Sequence, residues 1–448
     1  MALQFILGPS GAGKSEYIYE DIIRRTMQDE RENVIVLVPE QYSLEIQRKL
    51  VQKHPRGGSF QIDVIGFNRL AYRIFDELHI KPKKVLEDFG KSMLLRKAAQ
   101  EHKEELSLYA GSLDKAGFID EAKSLMSEIY QYDIPRERLR EALQKLDDSE
   151  EARVLARKLQ DMLVIFDAFE EKKGQSFIVA EQMLELLTAA AEQSEMIAGS
   201  EIVLDGFTGF TPIQLNLISV LLRRAKKVTI VLTIDAATYE KRHVAEHELF
   251  ALTKQTIEHL LLTAEQAHVV VKPALFLGKD GCKRWSKGHP LAHLEQNLFR
   301  YPYRVGKDEE QAITITAYDT PAQELTGVAE QIRTLVMEQG YRYRDIAIVS
   351  GNLEETAEFA KRILPQYEIP YFIDMTMPVK NHPCVDALTH VLRIVDENFS
   401  YDSVFAFLKS GVVKSLEQSE IEMLENYVLA RGRKGIRSWS QPFLNGED

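Results

Sequence analysis

Residues 8–15 read GPSGAGKS and match the phosphate-binding pattern G-x-x-x-x-G-K-[ST] at every fixed position. Glycines in such a loop let successive backbone amides point at phosphate oxygens, because a side chain would resist the backbone conformations required. Lys14 then supplies a positive charge to the β- and γ-phosphates, and Ser15 supplies a hydroxyl ligand for Mg²⁺. The pattern predicts a binding site for ATP with Mg²⁺. The residues predicted to form it are Gly8, Pro9, Ser10, Gly11, Ala12, Gly13, Lys14 and Ser15.

Nucleotide hydrolysis requires an acidic residue on the metal side and a base for the attacking water, in addition to the phosphate loop. Asp205 ends the apolar run IVLDGF (202–207) and is the candidate carboxylate for Mg²⁺. An aspartate before a glycine is also typical of an ordinary turn, so both interpretations stay open. Hydrolysing ATPases commonly carry a glutamate directly after this aspartate, whereas this chain has Gly206. No catalytic residue is therefore predicted.

The phosphate loop lies between a predicted strand and a predicted helix. LQFIL (3–7) is a short apolar run, and SEYIYEDIIRRTMQD, which starts at Ser15, has apolar residues near helical spacing. Alternation of such strands and helices predicts an α/β fold with a parallel sheet wrapped by helices. The further strands predicted in this part of the chain are NVIVLVP (33–39), FQIDVIGF (60–67), EIVLDGF (201–207) and KKVTIVLTID (226–235).

The middle and the end of the chain differ from this pattern. Between residues 85 and 198 almost every segment has a helical apolar stripe, which predicts a helical insertion. A second α/β unit is predicted from residue 311, with strands ITITAYDT (313–320) and DIAIVS (345–350). The predicted domains are 1–84 together with 199–310, the helical insertion 85–198, and 311–448.

Composition narrows the class of protein. A formal net charge of −12 gives no support to nucleic-acid binding and does not exclude it, because local basic surface makes such contacts. The two cysteines, Cys282 and Cys384, have no metal-ligand spacing, and a reducing cytoplasm fits them best. The N-terminus lacks the features of a signal peptide, and no stretch approaches the roughly 20 apolar residues of a membrane span.

Motifs around Asp205 resemble those of superfamily 1 DNA helicases of the UvrD/RecB kind. In DGFTGFTPIQ (205–214), the first aspartate and the glutamine at position 214 keep the helicase spacing, while the acidic residue after the aspartate is lost. In AIVSGN (347–352), Gly351 stands where those helicases carry an arginine. The resemblance implies RecA-like domains in which the phosphate loop is intact and the hydrolysis motifs are eroded.

A closer resemblance is to the AddB subunits of bacterial AddAB helicase–nucleases. It is carried by FILGPSGAGKS, VLVPEQYSLEIQ, VIGFNRLAYRIF, VLDGFTGFTPIQ, YRYRDIAIVS and IPYFIDMTMPVKNHP, and extends to ENYVLARG, which ends at residue 432. The resemblance implies a DNA-repair subunit that binds single- and double-stranded DNA ends and pairs with an AddA-like helicase–nuclease subunit. AddB proteins are longer and end in a nuclease domain with an iron–sulfur cluster held by four cysteines. This chain is therefore expected to be an N-terminal fragment without the nuclease domain and the cluster.

Two segments that follow predicted strands are candidates for DNA contacts. PEQYS (39–43) is one, and GFNRLAYR (66–73), which alternates aromatic residues with arginines, is the other. Periodicity alone favours an amphipathic helix with solvated arginines for the second segment. Resemblance to AddB, whose first helicase-like domains recognise the Chi sequence, implies base reading instead. The predicted DNA-binding residues are Gln41, Ser43, Phe67, Arg69, Tyr72 and Phe210.

Three functions remain open from the sequence. The first is a DNA-end-processing subunit that binds ATP and single-stranded DNA with little hydrolysis of its own. The second is an active phosphate-loop ATPase or small-molecule kinase, which explains GPSGAGKS and leaves the helicase-like spacing to Gln214 unexplained. The third is a scaffold in which the phosphate loop is a relic. Nucleotide binding separates the third from the others, and DNA-stimulated turnover separates the first from the second.

Overall fold

The computed structural model describes residues 1–443 apart from 30, 82, 114, 116, 148, 175, 279–281, 287, 308–311, 376–378 and 380–381. The chain divides into two compact units, Met1–Thr314 and Ile315–Asp448, called here the first and the second unit. Among the residues described, no helix is both long enough and apolar enough to span a bilayer.

The strands of the first unit are apolar runs, as expected for parallel strands covered on both faces. They are β1 (Ala2–Gly8), β2 (Asn33–Leu37), β3 (Ile62–Ile65), β4 (Lys84–Leu86), β5 (Phe177–Val179), β6 (Ser200–Leu204), β7 (Lys227–Thr233), β8 (Val270–Val271) and β9 (Leu275–Phe276). Seven of them form one sheet in the order β3-β2-β6-β7-β1-β8, in which β9 also pairs with β1. Every strand pairing in this sheet is parallel. The predicted parallel sheet, with LQFIL and IVLDGF in it, is therefore confirmed.

Some helices of the first unit cover the two faces of this sheet, and others belong to the mostly helical segment 85–198. Together they are α1 (Lys14–Gln28), α2 (Ser43–Lys53), α3 (Phe67–Glu77), α4 (Asp88–Glu101), α5 (Phe118–Gln131), α6 (Arg136–Gln144), α7 (Glu150–Lys173), α8 (Ala180–Ala191), α9 (Glu195–Ala198), α10 (Pro212–Arg224), α11 (Ala236–Glu240), α12 (Ala251–Gln266) and α13 (Pro290–Asn297). Alternate residues of β1 point to opposite faces, so Phe5 packs with α3, α8, α10 and α12, and Ile6 packs with α1 and α2. The two apolar cores hold the ends of the strands in fixed positions.

The segment between residues 85 and 198 is mostly helical, and its helices α4, α5 and α7 share a core of their own. Two features differ from the helical pattern of its sequence. The short strand β5 pairs with β4 in parallel register. Helix α8 contributes Met183 and Leu187 to the core beneath the main sheet. The assignment of the whole segment as one inserted domain stays a prediction.

The second unit is helical in the part that the structure describes. Its helices are α14 (Pro321–Gln339), α15 (Leu353–Ile363), α16 (Pro383–Asp396), α17 (Tyr401–Leu408), α18 (Gln418–Arg431) and α19 (Ile436–Trp439). The described residues of the predicted strands 313–320 and 345–350 do not pair with any strand, so these two strand predictions are wrong for this structure. Ile315 and Val349 are 94% and 93% exposed, respectively. Apolar β-prone residues form a strand only when they pair along a neighbouring strand, and no strand pairing of these two segments is found among the described residues. The second α/β domain is therefore not confirmed by the described residues and stays a prediction, and the α/β class rests on the first unit.

Candidate functional site

The phosphate loop connects Gly8, the last residue of β1, to Lys14, the first residue of α1. Gly11 and Gly13 have φ angles of 71° and 84°, in the left-handed region that glycine adopts without strain. Gly13 is also the N-cap of α1, so the free amides of the first helical turn lie at the loop. The strand, loop and helix thus follow one another as the sequence predicts.

The Lys14 side chain folds back over the loop. Its ammonium donates hydrogen bonds to the carbonyl oxygens of Gly8 and Pro9, at 2.9 and 2.8 Å. Burial lowers the pKa of Lys14 below its usual value of 10.5, against the attraction of the nearby carboxylates Asp205 and Glu295. The positive charge of Lys14 is therefore concentrated at the mouth of the loop, where the loop pattern places phosphate.

Asp205 follows β6 directly and is 5% exposed. Its backbone amide donates to the carbonyl oxygen of Leu37 on the neighbouring strand, at 3.0 Å. The Tyr19 hydroxyl, from α1, donates a 2.6 Å hydrogen bond to Asp205 Oδ2. Burial, together with the charge of Asp205, raises the pKa of the Tyr19 phenol. Two elements therefore fix the carboxylate, one through the backbone and one through a side chain.

The donor set at this end of the sheet fits a nucleotide with Mg²⁺. Oδ1 of Asp205 accepts no hydrogen bond from any described residue, so one carboxylate oxygen is free for a metal-bound water. No group of three or more His, Cys, Asp or Glu residues in the described ranges is arranged to hold a metal alone. A Mg²⁺ ion here would depend on Ser15, Asp205 and the phosphates of the nucleotide, the combination that the sequence predicts.

Gly206 stands where hydrolysing ATPases commonly carry a glutamate, and its backbone conformation disfavours a side chain. Its φ is 84°, and a Cβ built on it would lie 3.4 Å from Cδ of Pro39 and 3.9 Å from the ring of Tyr42. A residue with a side chain would be strained there by its backbone conformation. The backbone conformation at position 206 therefore suits glycine, and a glutamate could not replace it there without strain.

The loops after β2 and β3 meet at the same edge of the sheet. Glu40 links them, because its Oε1 accepts a 3.0 Å hydrogen bond from the amide of Asn68 at the start of α3. A Cβ on Gly66 would lie 2.2 Å from the Glu40 carboxyl carbon, so the carboxylate rests directly on the Gly66 backbone. A negative charge at the N-terminus of α3 is favoured by the helix dipole. Glu40 therefore sets the spacing of the two loops predicted to contact DNA.

The predicted DNA-binding residues fall into two groups at this edge. Gln41, Arg69 and Tyr72 are exposed, and Ser43 is half-buried with its hydroxyl donating to the Glu40 carbonyl oxygen. Phe67 and Phe210 instead pack through Phe207, with ring centroids 5.5 and 5.2 Å from that of Phe207. Phe67 is only 9% exposed, so its ring offers little free face to a base. These DNA contacts stay predictions.

Gln214, which keeps the helicase-like spacing from Asp205, has a local role in this structure. Its Oε1 accepts a 3.0 Å hydrogen bond from the Thr211 amide and so caps the first turn of α10. Sequence reasoning missed Tyr42, an exposed aromatic residue (43%) next to Gln41, although the stretch PEQYS shows it. It also missed Tyr19 and the segment Cys282–Trp285, whose contacts with this site join distant parts of the sequence.

The parallel sheet, the loop GPSGAGKS at the end of β1 and the buried carboxylate at the end of β6 define an α/β protein with a phosphate-loop motif. The model of the family described as "ADDB, N-terminal" matches residues 5–295, and the chain belongs to this family.

Three relatives illustrate the similarity, each named as the B subunit of an ATP-dependent helicase/deoxyribonuclease. The protein of Lachnoclostridium phytofermentans is 38% identical over 439 residues, which are 97% of this chain and 38% of that protein. The protein of Clostridium novyi is 32% identical over 448 residues, covering 100% of this chain and 39% of that protein. The protein of Caldanaerobacter subterraneus is 33% identical over 441 residues, covering 98% and 37%. The chain thus spans less than two fifths of the length of these relatives.

Proposed function

We propose that the first unit binds ATP with Mg²⁺ at the phosphate loop and single-stranded DNA at the adjoining loops of the same sheet edge. The observation that supports this most directly is the convergence of Lys14 and Asp205 on the loop between β1 and α1. Loop amides and Lys14 hold the phosphates, and Ser15 with Asp205 orients the Mg²⁺ ion, which offsets phosphate charge when bound.

The second part of the proposal is that this chain hydrolyses ATP slowly or not at all. Gly206 has no group to polarise an attacking water, and its left-handed φ of 84° disfavours any residue that could supply one. Gly351 likewise provides no positive charge where related helicases carry an arginine. An arginine of this kind contributes roughly 10³–10⁵ in rate, so its loss leaves binding possible and turnover close to background.

Single-stranded DNA is proposed to lie along the loops after β2 and β3, where the protein would recognise a Chi-type sequence. Exposed Tyr72 and Tyr42 offer aromatic faces for bases, and Arg69 offers a cation for the phosphate backbone. Glu40 keeps the two loops in register. The bound nucleotide would stabilise this edge by mass action, since ligand at 100 times its Kd adds about 2.7 kcal/mol to the free energy of unfolding.

At the level of the whole protein, we propose one subunit of a cytoplasmic DNA-repair helicase–nuclease, in line with the name of its relatives. Its partner would be an AddA-like subunit that drives translocation along DNA ends. A nuclease domain and an iron–sulfur cluster would belong to the part of the relatives that this chain does not cover. The proposed domains are RecA-like: 1–84 with 199–310, a helical insertion at 85–198, and a second helicase-like domain from 311.

Two titrations and one rate measurement test the proposal. Calorimetry of the 448-residue chain with ATP and Mg²⁺, and then with single-stranded DNA at stated salt, should show binding of both. Steady-state phosphate release with DNA present should remain far below ~1 s⁻¹, the lower end of typical enzyme turnover. Absence of nucleotide binding would favour a relic loop. Fast, DNA-independent turnover would favour an active phosphate-loop ATPase or small-molecule kinase.

A further inference from the structure

We propose that the segment Cys282–Trp285 forms a second wall of the nucleotide site, and that Lys283 and Arg284 contact the polyphosphate of the bound nucleotide. This inference rests on the nucleotide binding proposed above for the phosphate loop. It adds residues far along the chain to a site that the loop motif defines only up to Ser15.

The segment is joined to the phosphate loop through backbone hydrogen bonds. The amides of Lys283 and Arg284 both donate to the carbonyl oxygen of Gly11, at 3.1 and 3.2 Å. The Cys282 thiol lies 3.5 Å from the carbonyl oxygen of Ser10. These contacts fix three consecutive residues against the tip of the loop, so the segment is part of the same local structure.

Side chains of the segment also fill the space that two loop glycines leave open. A Cβ on Gly11 would lie 2.4 Å from the Cys282 sulfur and 3.4 Å from the ring of Trp285. A Cβ on Gly13 would lie 3.1 Å from Cδ of Lys283. The Lys283 side chain therefore crosses the N-terminus of α1, which is the end of the helix that binds anions.

The charges at this position favour an anion. Lys14, Lys283 and Arg284 gather around one loop in a chain whose formal net charge is −12. Among the described residues, no carboxylate forms an ion pair with Lys283 or Arg284, and both side chains are exposed. Cations next to the positive end of a helix repel it. A polyphosphate relieves that repulsion and pairs with all of the cations at once.

Removing the two side-chain charges should weaken nucleotide binding. An exposed ion pair contributes about 0.2–1 kcal/mol, so Lys283→Ala and Arg284→Ala are each expected to lower the affinity for ATP up to about five-fold. The loss should shrink as salt is raised, because exposed charges are screened. The matched control is the double variant Lys226→Ala/Lys272→Ala. Lys226 and Lys272 are exposed and lie beside the same sheet, and their amides donate to the carbonyl oxygens of Ser200 and Leu3, near the strand ends opposite to the phosphate loop.

Trp285 provides a direct readout of the segment. The chain has two tryptophans, so Trp439→Phe leaves Trp285 as the single tryptophan, which can be excited selectively over the tyrosines. ATP should change its emission, because the ring lies against Gly11. A second readout does not depend on that variant: in Cys384→Ser, thiol labelling of the remaining Cys282 should slow several-fold when ATP is bound.

The outcomes separate this inference from the proposed function. Calorimetric binding of ATP that is equal in the Lys283→Ala/Arg284→Ala variant and the control, with unchanged Trp285 emission and Cys282 labelling, overturns the inference and leaves nucleotide binding in place. Failure of the unaltered chain to bind ATP overturns both. If the charge variants lose affinity for single-stranded DNA and keep their affinity for ATP, the segment contacts the DNA backbone and the inference is wrong.

Discussion

The hydroxyl of Tyr19 donates a 2.6 Å hydrogen bond to Oδ2 of Asp205, two residues that are 186 positions apart in the sequence. Tyr19 lies in the second turn of the helix that follows the phosphate loop, and Asp205 follows β6, which is separated from β1 by β7. Both side chains are buried, at 3% and 5% exposure. This bond therefore joins the phosphate-loop helix to the proposed metal carboxylate and leaves only Oδ1 for a metal-bound water.

Replacing Tyr19 by phenylalanine should destabilise the first unit. The substitution leaves a buried carboxylate without its donor, which typically costs about 1–3 kcal/mol. We expect a lower denaturant midpoint. We also expect ATP binding to depend more steeply on the Mg²⁺ concentration, because both oxygens of Asp205 are then available to a cation or a water. Urea titration and calorimetry at several Mg²⁺ concentrations measure the two effects.

Tyr17→Phe is the matched control for this change. Tyr17 lies on the same helix two residues earlier, is 38% exposed, and has no described hydrogen bond through its hydroxyl. Removal of the Tyr17 hydroxyl should change the free energy of unfolding by no more than ~0.5 kcal/mol, so the denaturant midpoint should hardly move. Equal midpoints for the two variants would mean that the Tyr19–Asp205 bond adds no stability.

Local patterns were sufficient to predict the sheet and the loop. LQFIL and NVIVLVP are apolar on both faces, which is a property of buried parallel strands, and GPSGAGKS has a fixed spacing. The strand predictions at 313–320 and 345–350 failed, because an apolar β-prone run becomes a strand only with a pairing partner. Partners lie elsewhere in the chain, and periodicity carries no information about them.

The residues of the candidate site, like the strands, could be predicted from the sequence only in part. Lys14, Ser15 and Asp205 follow from spacing and from their positions at strand ends. Phe67 was predicted to contact DNA, a contact that stays a prediction; its ring is buried against Phe207, since a helix with a strong apolar stripe buries that stripe. Trp285 had no partner in the sequence pattern, because its neighbour Gly11 lies at the other end of the unit.

Lys14→Ala should greatly reduce nucleotide binding. The ammonium is the half-buried cation of the loop, and hydrogen bonds to charged groups contribute about 1.5–3 kcal/mol, so the affinity for ATP should fall roughly 10- to 100-fold. Isothermal titration calorimetry measures the change. The exposed Lys226, near the strand ends opposite to the phosphate loop, provides the control: Lys226→Ala should bind ATP as the unaltered chain does. Equal affinity of both variants would exclude the loop as the nucleotide site.

Gly206→Glu should fail to create an ATPase. The left-handed φ of 84° costs a residue with a side chain about 1–2 kcal/mol, and the new Cβ would contact Pro39. We expect a lower melting temperature and unchanged phosphate release. Gly351→Ala is the control, because a Cβ there would meet no atom within 4 Å and its φ is ordinary. A rise in turnover to ~1 s⁻¹ or more would show that the base alone was missing.

Tyr72 and Arg69 should contribute to DNA binding in different ways that salt can separate. Tyr72 is 48% exposed, and a stacked base contributes about 1–3 kcal/mol, so Tyr72→Ala should weaken binding of single-stranded DNA at all salt concentrations. Arg69 has no ion-pair partner among the described residues, so Arg69→Ala should lower affinity mainly at low salt and reduce the slope of log K against log salt by about 0.7.

Arg73 is the matched control for this experiment, because it lies one helical turn from Arg69 on α3 and forms an ion pair with Asp63. Its charge is already compensated, so Arg73→Ala should leave both the affinity and the salt slope nearly unchanged. Fluorescence anisotropy with labelled single-stranded DNA from 50 to 200 mM salt, about the range over which phosphate contacts are lost, measures all three variants. If Arg69→Ala and Arg73→Ala behave alike and Tyr72→Ala binds normally, α3 is an amphipathic helix with solvated arginines and the DNA runs elsewhere.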